Sequence, residues 1–220
     1  MDAQHHLSIW LGPEPASWLI SAGAFALAMS ATPGPNNAML AASGANFGFG
    51  RSLPHMLGVA LGFALMIALI GLGCGRVLQR FPLINTVLKW VASAYLLWLA
   101  WRIATALPVL KSSADQGQGL DHQRPVSFIQ AALFQWVNPK AWVGAISAVS
   151  VYTSVTRPIL PQALTLASLF TIVCLPSVAL WTGIGAGAAK VLRTPAGLRA
   201  FNLVMAALLA ASLLSLFIER

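Results

Sequence analysis

Two short segments carry the residue types that could hold a small polar molecule. The first is Thr32-Pro33-Gly34-Pro35-Asn36-Asn37 and the second is Asn138-Pro139-Lys140, each in the middle of a long apolar run. At the first, two prolines remove amide donors and a glycine relaxes the backbone, so a helix is broken there and carbonyls around Met29 and Ala31 lose their helical partners. After each break a new helix can start, with Asn36 and Asn138 placed as N-caps and Pro139 suited to the first helical position. A helix start presents unpaired N–H groups and the positive end of a dipole, which attract a carboxylate. The freed carbonyls can accept hydrogen bonds from an ammonium group, so the two breaks together suit a zwitterion such as an amino acid. Pro33, Gly34, Pro35, Asn36, Asn37, Asn138, Pro139 and Lys140 are therefore the candidate substrate-binding residues. Lys140 adds a fixed cation that, at this depth in an apolar run, should face the protein interior or water. Two plainer readings stand beside this one: prolines kink membrane helices for packing alone, and a lysine near a span boundary can snorkel to the headgroups.

The elements that position these residues follow from composition. Of 220 residues, 13 are Lys or Arg and 5 are Asp or Glu, so 8% are charged, against about 25% in soluble domains. With 58% of the chain apolar and a mean hydropathy of +0.76, the residues would fill a bilayer and could not cover a water-facing surface. Long unbroken apolar runs exclude a transmembrane β-barrel, whose strands alternate apolar and polar residues. The formal net charge of +8 does not imply a nucleic-acid partner, because Arg51, Arg76, Arg80, Lys111, Arg124, Arg157, Lys190, Arg193 and Arg220 punctuate the ends of apolar runs, where such residues anchor helices. Cys74 and Cys174 lie inside apolar runs and read as buried thiols rather than a disulfide. The first basic residue is Arg51, so the charged region of a signal peptide is missing and the first apolar run is expected to stay in the mature protein.

Charged residues and Pro/Gly clusters divide the chain into six apolar spans, near 16–47, 53–75, 84–107, 127–152, 161–189 and 200–218. A polar linker over 108–125 separates a first three-helix unit, 1–107, from a second, 126–220. The glycine-rich segment from Gly71 to Pro82 matches that from Gly183 to Pro195 with one inserted residue, and each unit also carries a Leu-Pro pair, Leu53-Pro54 and Leu175-Pro176. Units with an odd number of spans must sit in opposite orientations. The expected fold is therefore all-α and integral to the membrane: six transmembrane helices as two inverted three-helix repeats, the first helix of each broken at its proline motif. Length supports the break, since the 36 uncharged residues between Glu14 and Arg51 would make a straight helix of about 54 Å against a core of roughly 30 Å. The pairs Gly44/Gly48, Gly58/Gly62, Gly71/Gly75 and Gly183/Gly187 have the spacing that lets helices approach closely. His55, near the start of the second span, reads as an interfacial histidine. Trp136 and Trp142 flank the second break, and both a cavity-lining and a lipid-facing placement are open to them.

These residues resemble a known family, the LysE/RhtB amino-acid exporters. The resemblance rests on Ala31-Thr32-Pro33-Gly34-Pro35-Asn36, on Gly58 and Gly62, and on Asn138-Pro139-Lys140-Ala141, and it extends over nearly the whole chain. It implies a multi-pass protein of the bacterial cytoplasmic (inner) membrane that exports amino acids or related metabolites, driven by the proton-motive force. The branch that exports lysine and arginine carries an aspartate at the position of Gly144, and its absence here argues against a cationic substrate. The acidic residues agree: Asp2, Glu14, Asp115, Asp121 and Glu219 lie at the termini or in the linker, leaving no carboxylate inside a span to pair with a basic side chain. A neutral amino acid is the expected substrate, with His55, Lys140 or the substrate itself as proton carrier. No nucleophile with its base and no metal-binding cluster is evident, so neither an enzyme nor a cofactor or metal site is expected. A passive channel or an assembly subunit with a broken-helix cavity is the alternative function, and homo-oligomer formation stays open.

Topology follows from the basic residues. Arg51, Arg102, Lys111, Arg124, Lys190, Arg193 and Arg199 fall on one side of six spans, and Arg76, Arg80, Lys89, Arg157 and Arg220 on the other. The positive-inside rule then puts the linker in the cytoplasm and both termini outside. A cysteine at Ser113 should resist a membrane-impermeant thiol reagent in intact cells and react after permeabilisation; labelling from outside would reverse the assignment.

Overall fold

The computed structural model describes residues 9–12, 14–74, 82–106, 124–192 and 194–218. Most of the linker, 107–123, and residues 75–81 of the segment from Gly71 to Pro82 lie outside the described residues. Among the described residues all regular structure is helical: α1 (Pro15–Ala31), α2 (Pro35–Phe47), α3 (Leu53–Leu69), α4 (Pro82–Ala104), α5 (Phe128–Phe134), α6 (Pro139–Tyr152), α7 (Ile159–Val191) and α8 (Pro195–Ile218). Three stretches, Gly50–Gly73, Ile159–Val191 and Pro195–Leu213, are long and apolar enough to cross a membrane, and α1 with α2 makes a fourth, bent by 57°.

Local chemistry sets the ends of these helices. α1 stops at Ala31 because Thr32 is extended and Pro33 follows, a residue that disfavours helical backbone before it. α2 begins with Pro35 in its first turn and ends at Gly48, whose φ of 81° favours glycine. α5 starts in a capping box: the Gln130 amide donates to the Ser127 hydroxyl at 3.3 Å, and the Ser127 amide donates to the Gln130 side chain at 3.0 Å. α7 runs for 33 residues through Pro176, an interruption that membrane helices tolerate when neighbours satisfy the freed carbonyls. Indole and phenol bonds tie α1 to the end of α6, from Trp18 to the Tyr152 carbonyl (3.0 Å) and from the Tyr152 hydroxyl to the Ser21 carbonyl (3.1 Å).

Close approach governs how the helices pack. α2 lies against α7, where a Cβ at Gly44 would strike the Thr182 carbonyl and one at Gly185 the Ala41 carbonyl. α3 lies against α5, where Gly58 meets Phe128 and Ala131 and Gly62 meets Ala132, whose Cα would be 2.6 Å from an added Cβ. The expected glycine pairs are thus corrected in part: Gly58/Gly62 are both at a contact, whereas Gly183, Gly187 and Gly48 face open space and Gly185 makes the approach instead. Apolar cores fill the rest, one centred on Leu96, Phe134 and Leu209, another on Met66, Leu166 and Phe170.

His55 also differs from expectation. It is 0% exposed on α3, not interfacial, because it lies on the inward stripe with Met56 and Val59. Neither ring nitrogen has a hydrogen-bond partner among the described residues.

Gly185→Val should lower the yield of monodisperse protein in detergent severalfold, while Gly183→Val, two residues away on the open side, leaves it near wild type. Size-exclusion profiles of fluorescent fusions measure both, and equal yields would remove the close contact from the account.

Candidate functional site

The first break strands backbone carbonyls of α1 that the neighbouring side chains then satisfy. Asn37, buried in the first turn of α2, donates through Nδ2 to both the Ser30 and Thr32 carbonyls at 2.9 Å. Ser30 also receives the Ser177 hydroxyl of α7 at 2.8 Å. The Thr32 hydroxyl bonds back to the Ala28 carbonyl. In α2 the first ladder bond runs from the Ala38 amide to the Gly34 carbonyl at 3.0 Å, so the amides of Asn36 and Asn37 belong to the unpaired helix start.

At the second break, residues 135–138 form tight turns whose amides reach three residues back, from Gln135 to Ala132 and on to Asn138 to Gln135. Asn138 is the N-cap of α6, its side-chain oxygen accepting the Lys140 amide at 3.1 Å, and Pro139 occupies the first turn. That much matches the sequence-based expectation. Asn36 does not: Gly34 is the cap residue of α2 and makes no side-chain cap bond, because Pro35 takes the first helical position and moves Asn36 into the helix.

The two breaks touch. Asn36 and Gln135 exchange a reciprocal amide pair, Asn36 Nδ2 to Gln135 Oε1 at 2.9 Å and Gln135 Nε2 to Asn36 Oδ1 at 3.3 Å. Lys140 reaches back across the gap to donate to the Thr32 carbonyl at 2.6 Å, a charge-assisted bond of the stronger kind. Gly34 makes that reach possible, since a Cβ there would come within 2.9 Å of the Lys140 Cδ.

Between the breaks is a cavity of about 50 Å³, space for a few water molecules. Gly34, Asn36 and Asn37 line it from the first break and Asn138 and Lys140 from the second, with Gln135 and Ser30 adding polar groups. Pro33, Pro35 and Pro139 shape the backbone around it but are not among the lining residues. Its apolar wall is Met29, Val59, Phe63, Ala141, Cys174 and Val178. Trp136 and Trp142 do not line it; they stack edge to face at 5.7 Å, and the Trp142 indole donates to the Trp136 carbonyl. Gln135 and Ser30 escaped the sequence reading, although a glutamine three residues before Asn138 in an apolar run was a visible signal. Among the described residues no three His, Cys, Asp or Glu side chains gather as metal ligands.

The comparison with known families matches residues 27–219 to the LysE type translocator model. The chain belongs to that family. It is thus a multi-pass membrane protein of a transporter family. The cysteine/O-acetylserine efflux protein of Salmonella typhimurium is 34% identical over 139 residues, 63% of this chain and 64% of the relative. The protein of that name from Escherichia coli O1:K1 is 31% identical over 142 residues, 63% of this chain and 64% of its own. An uncharacterized membrane protein of Vibrio cholerae is 27% identical over 194 residues, 86% of each chain. The chain therefore spans just under two thirds of the length of the efflux proteins it matches. No solved structure matches it.

In a double-mutant cycle on Asn36→Ala and Gln135→Ala, the combined loss of stability should fall short of the sum by about 0.6–1.7 kcal/mol, the range of interhelical bonds in membrane proteins. Equilibrium unfolding in mixed micelles measures it, and strict additivity would mean the two amides are not coupled.

Proposed function

We propose that this LysE-family chain exports a neutral amino acid or related small metabolite from the cytoplasm, driven by the proton-motive force. It does so through six spans arranged as two inverted three-helix repeats, 1–107 and 126–220, joined by a cytoplasmic linker at 108–125. The observation that carries this reading is the cavity between the breaks, lined from both broken helices, the arrangement by which inverted-repeat transporters hold a substrate near the midplane. Helix contacts support the repeat: α1 packs on α7 and α5 packs on α3, the exchange that a pseudo-two-fold axis requires.

In this reading the substrate carboxylate meets the Lys140 ammonium and the unpaired amides at the start of α2. Its ammonium takes the carbonyls of Ser30 and Thr32, displacing Asn37 and Lys140 from them. The side chain rests on Met29, Phe63 and Cys174. An uncharged side chain fits this wall. Gly144 adds to the case, because a Cβ there would run into Met29 and come within 3.6 Å of Phe63, so an aspartate at this position would point its charge at the cavity wall. The names of the matched relatives narrow the cargo to cysteine, O-acetylserine or a neutral amino acid of similar size. His55, Lys140 or the substrate amine carries the proton.

Efflux normalised to membrane-inserted protein tests the reading. Asn36→Ala, Asn138→Ala and Lys140→Ala should each reduce the specific rate about tenfold or more, and an uncoupler should abolish concentrative efflux. Expression should protect cells from neutral analogues and leave sensitivity to lysine and arginine analogues unchanged. Unchanged specific activity in both Asn36→Ala and Lys140→Ala would end the midplane site, and flux that persists without a gradient would favour a channel.

A further inference from the structure

A second cavity, of about 220 Å³, opens between the C-terminal half of α2, the end of α4 and the chain at residues 124–130. It is several times larger than the central one, and its lining has a different character. Arg102 and Arg124 both contribute to it, together with Asn46, Ser43, Tyr95 and Gln130, and no carboxylate is among its described lining residues. Stacking orients one guanidinium: Arg102 lies 5.1 Å from the Trp98 ring centroid, a cation–π contact that leaves the edge of the group to bond an anion. The opposite polarity comes from α2, whose C-terminal carbonyl end at Phe47 closes the cavity and favours a cation. The floor is polar and fixed. Asn46 and Asn202 exchange a reciprocal amide pair at 3.0 and 3.1 Å, and the Ser43 and Ser52 hydroxyls bond at 2.8 Å.

Position along α2 links this cavity to the central one. Met39 lines the larger cavity one helical turn from Asn36, which lines the smaller. Phe134 belongs to the same core cluster as Met39, lies 5.6 Å from the Tyr95 ring, and directly precedes Gln135, the partner of Asn36. We propose that the larger cavity is a cytoplasmic antechamber in which Arg102 and Arg124 capture the carboxylate of the outgoing amino acid before it passes Phe134 to the central cavity. This rests on the export reading and on the cytoplasmic placement of the linker. A lipid headgroup phosphate has the same charge, and Arg102 and Arg124 are both exposed, but a headgroup needs no pocket behind them. Here the wall runs inward over Met39, Ala42, Ser43 and Leu99, all at most 5% exposed, toward the central site.

Uptake into inside-out membrane vesicles reads the cytoplasmic face, with radiolabelled cysteine and the other neutral amino acids as probes. Arg102→Gln and Arg124→Gln should each raise KM about fivefold or more with the maximal rate per inserted protein within twofold. Arg102→Lys should recover part of the loss, and KM at the opposite face, read in right-side-out vesicles, should not move. Unchanged KM in both glutamine variants, or an equal rise at both faces, would overturn the antechamber while leaving export intact. An effect confined to vesicles containing phosphatidylglycerol, and missing in pure phosphatidylcholine, would assign the arginines to lipid and overturn it too. If wild-type protein moves none of the probes, the export reading fails and the antechamber with it.

Discussion

A backbone inside a bilayer has no water to bond, so every carbonyl released by a helix break must find a partner within the protein. This constraint explains most of what surrounds the first break. Ser30 and Thr32 lose their helical donors when Pro33 and Pro35 end α1, and Asn37, Ser177 and Lys140 supply replacements. Two of those donors come from the second half of the chain. The break is therefore not a local defect but a joint that only the assembled molecule can close, and it makes the fold of one half depend on the other.

Glycine makes the joint reachable. The approach of α2 to α7 at Gly44 and Gly185, and of α3 to α5 at Gly58 and Gly62, brings the first break within hydrogen-bond distance of the second. A Cβ at any of these points would meet the facing helix, so larger residues would push the helices apart. Small residues at the helix contacts and long polar residues at the breaks are thus two parts of one arrangement.

How much of this the amino-acid order foretold depends on the range of the interaction. Asn138 as a cap with Pro139 behind it was legible because capping is settled within four residues. Asn36 looked equivalent and is not, since Pro35 competes for the first helical position and wins. His55 read as interfacial from its place in the span, whereas its face on α3 turns it inward; only packing against other helices decides that. Gly183 and Gly187 had the right spacing, and yet Gly185 makes the contact because the rotation of α7 is fixed by α2. The apolar, helical character of the chain and the two breaks were evident from composition and proline placement. That Gln135 pairs with Asn36 was not, because a side chain's target 99 residues away leaves no trace in local pattern.

The small size of the central cavity, about 50 Å³, has a consequence for thrift. Its polar groups already bond one another, so under the proposed function an arriving molecule would replace the bonds of Asn37 and Lys140 to the Ser30 and Thr32 carbonyls, and the net gain would be small. If the proposed export runs through this cavity, cargo would bind weakly and engage only when it accumulates. Under the proposed function the passage would stay plugged by its own side chains at ordinary concentrations, as an overflow valve does.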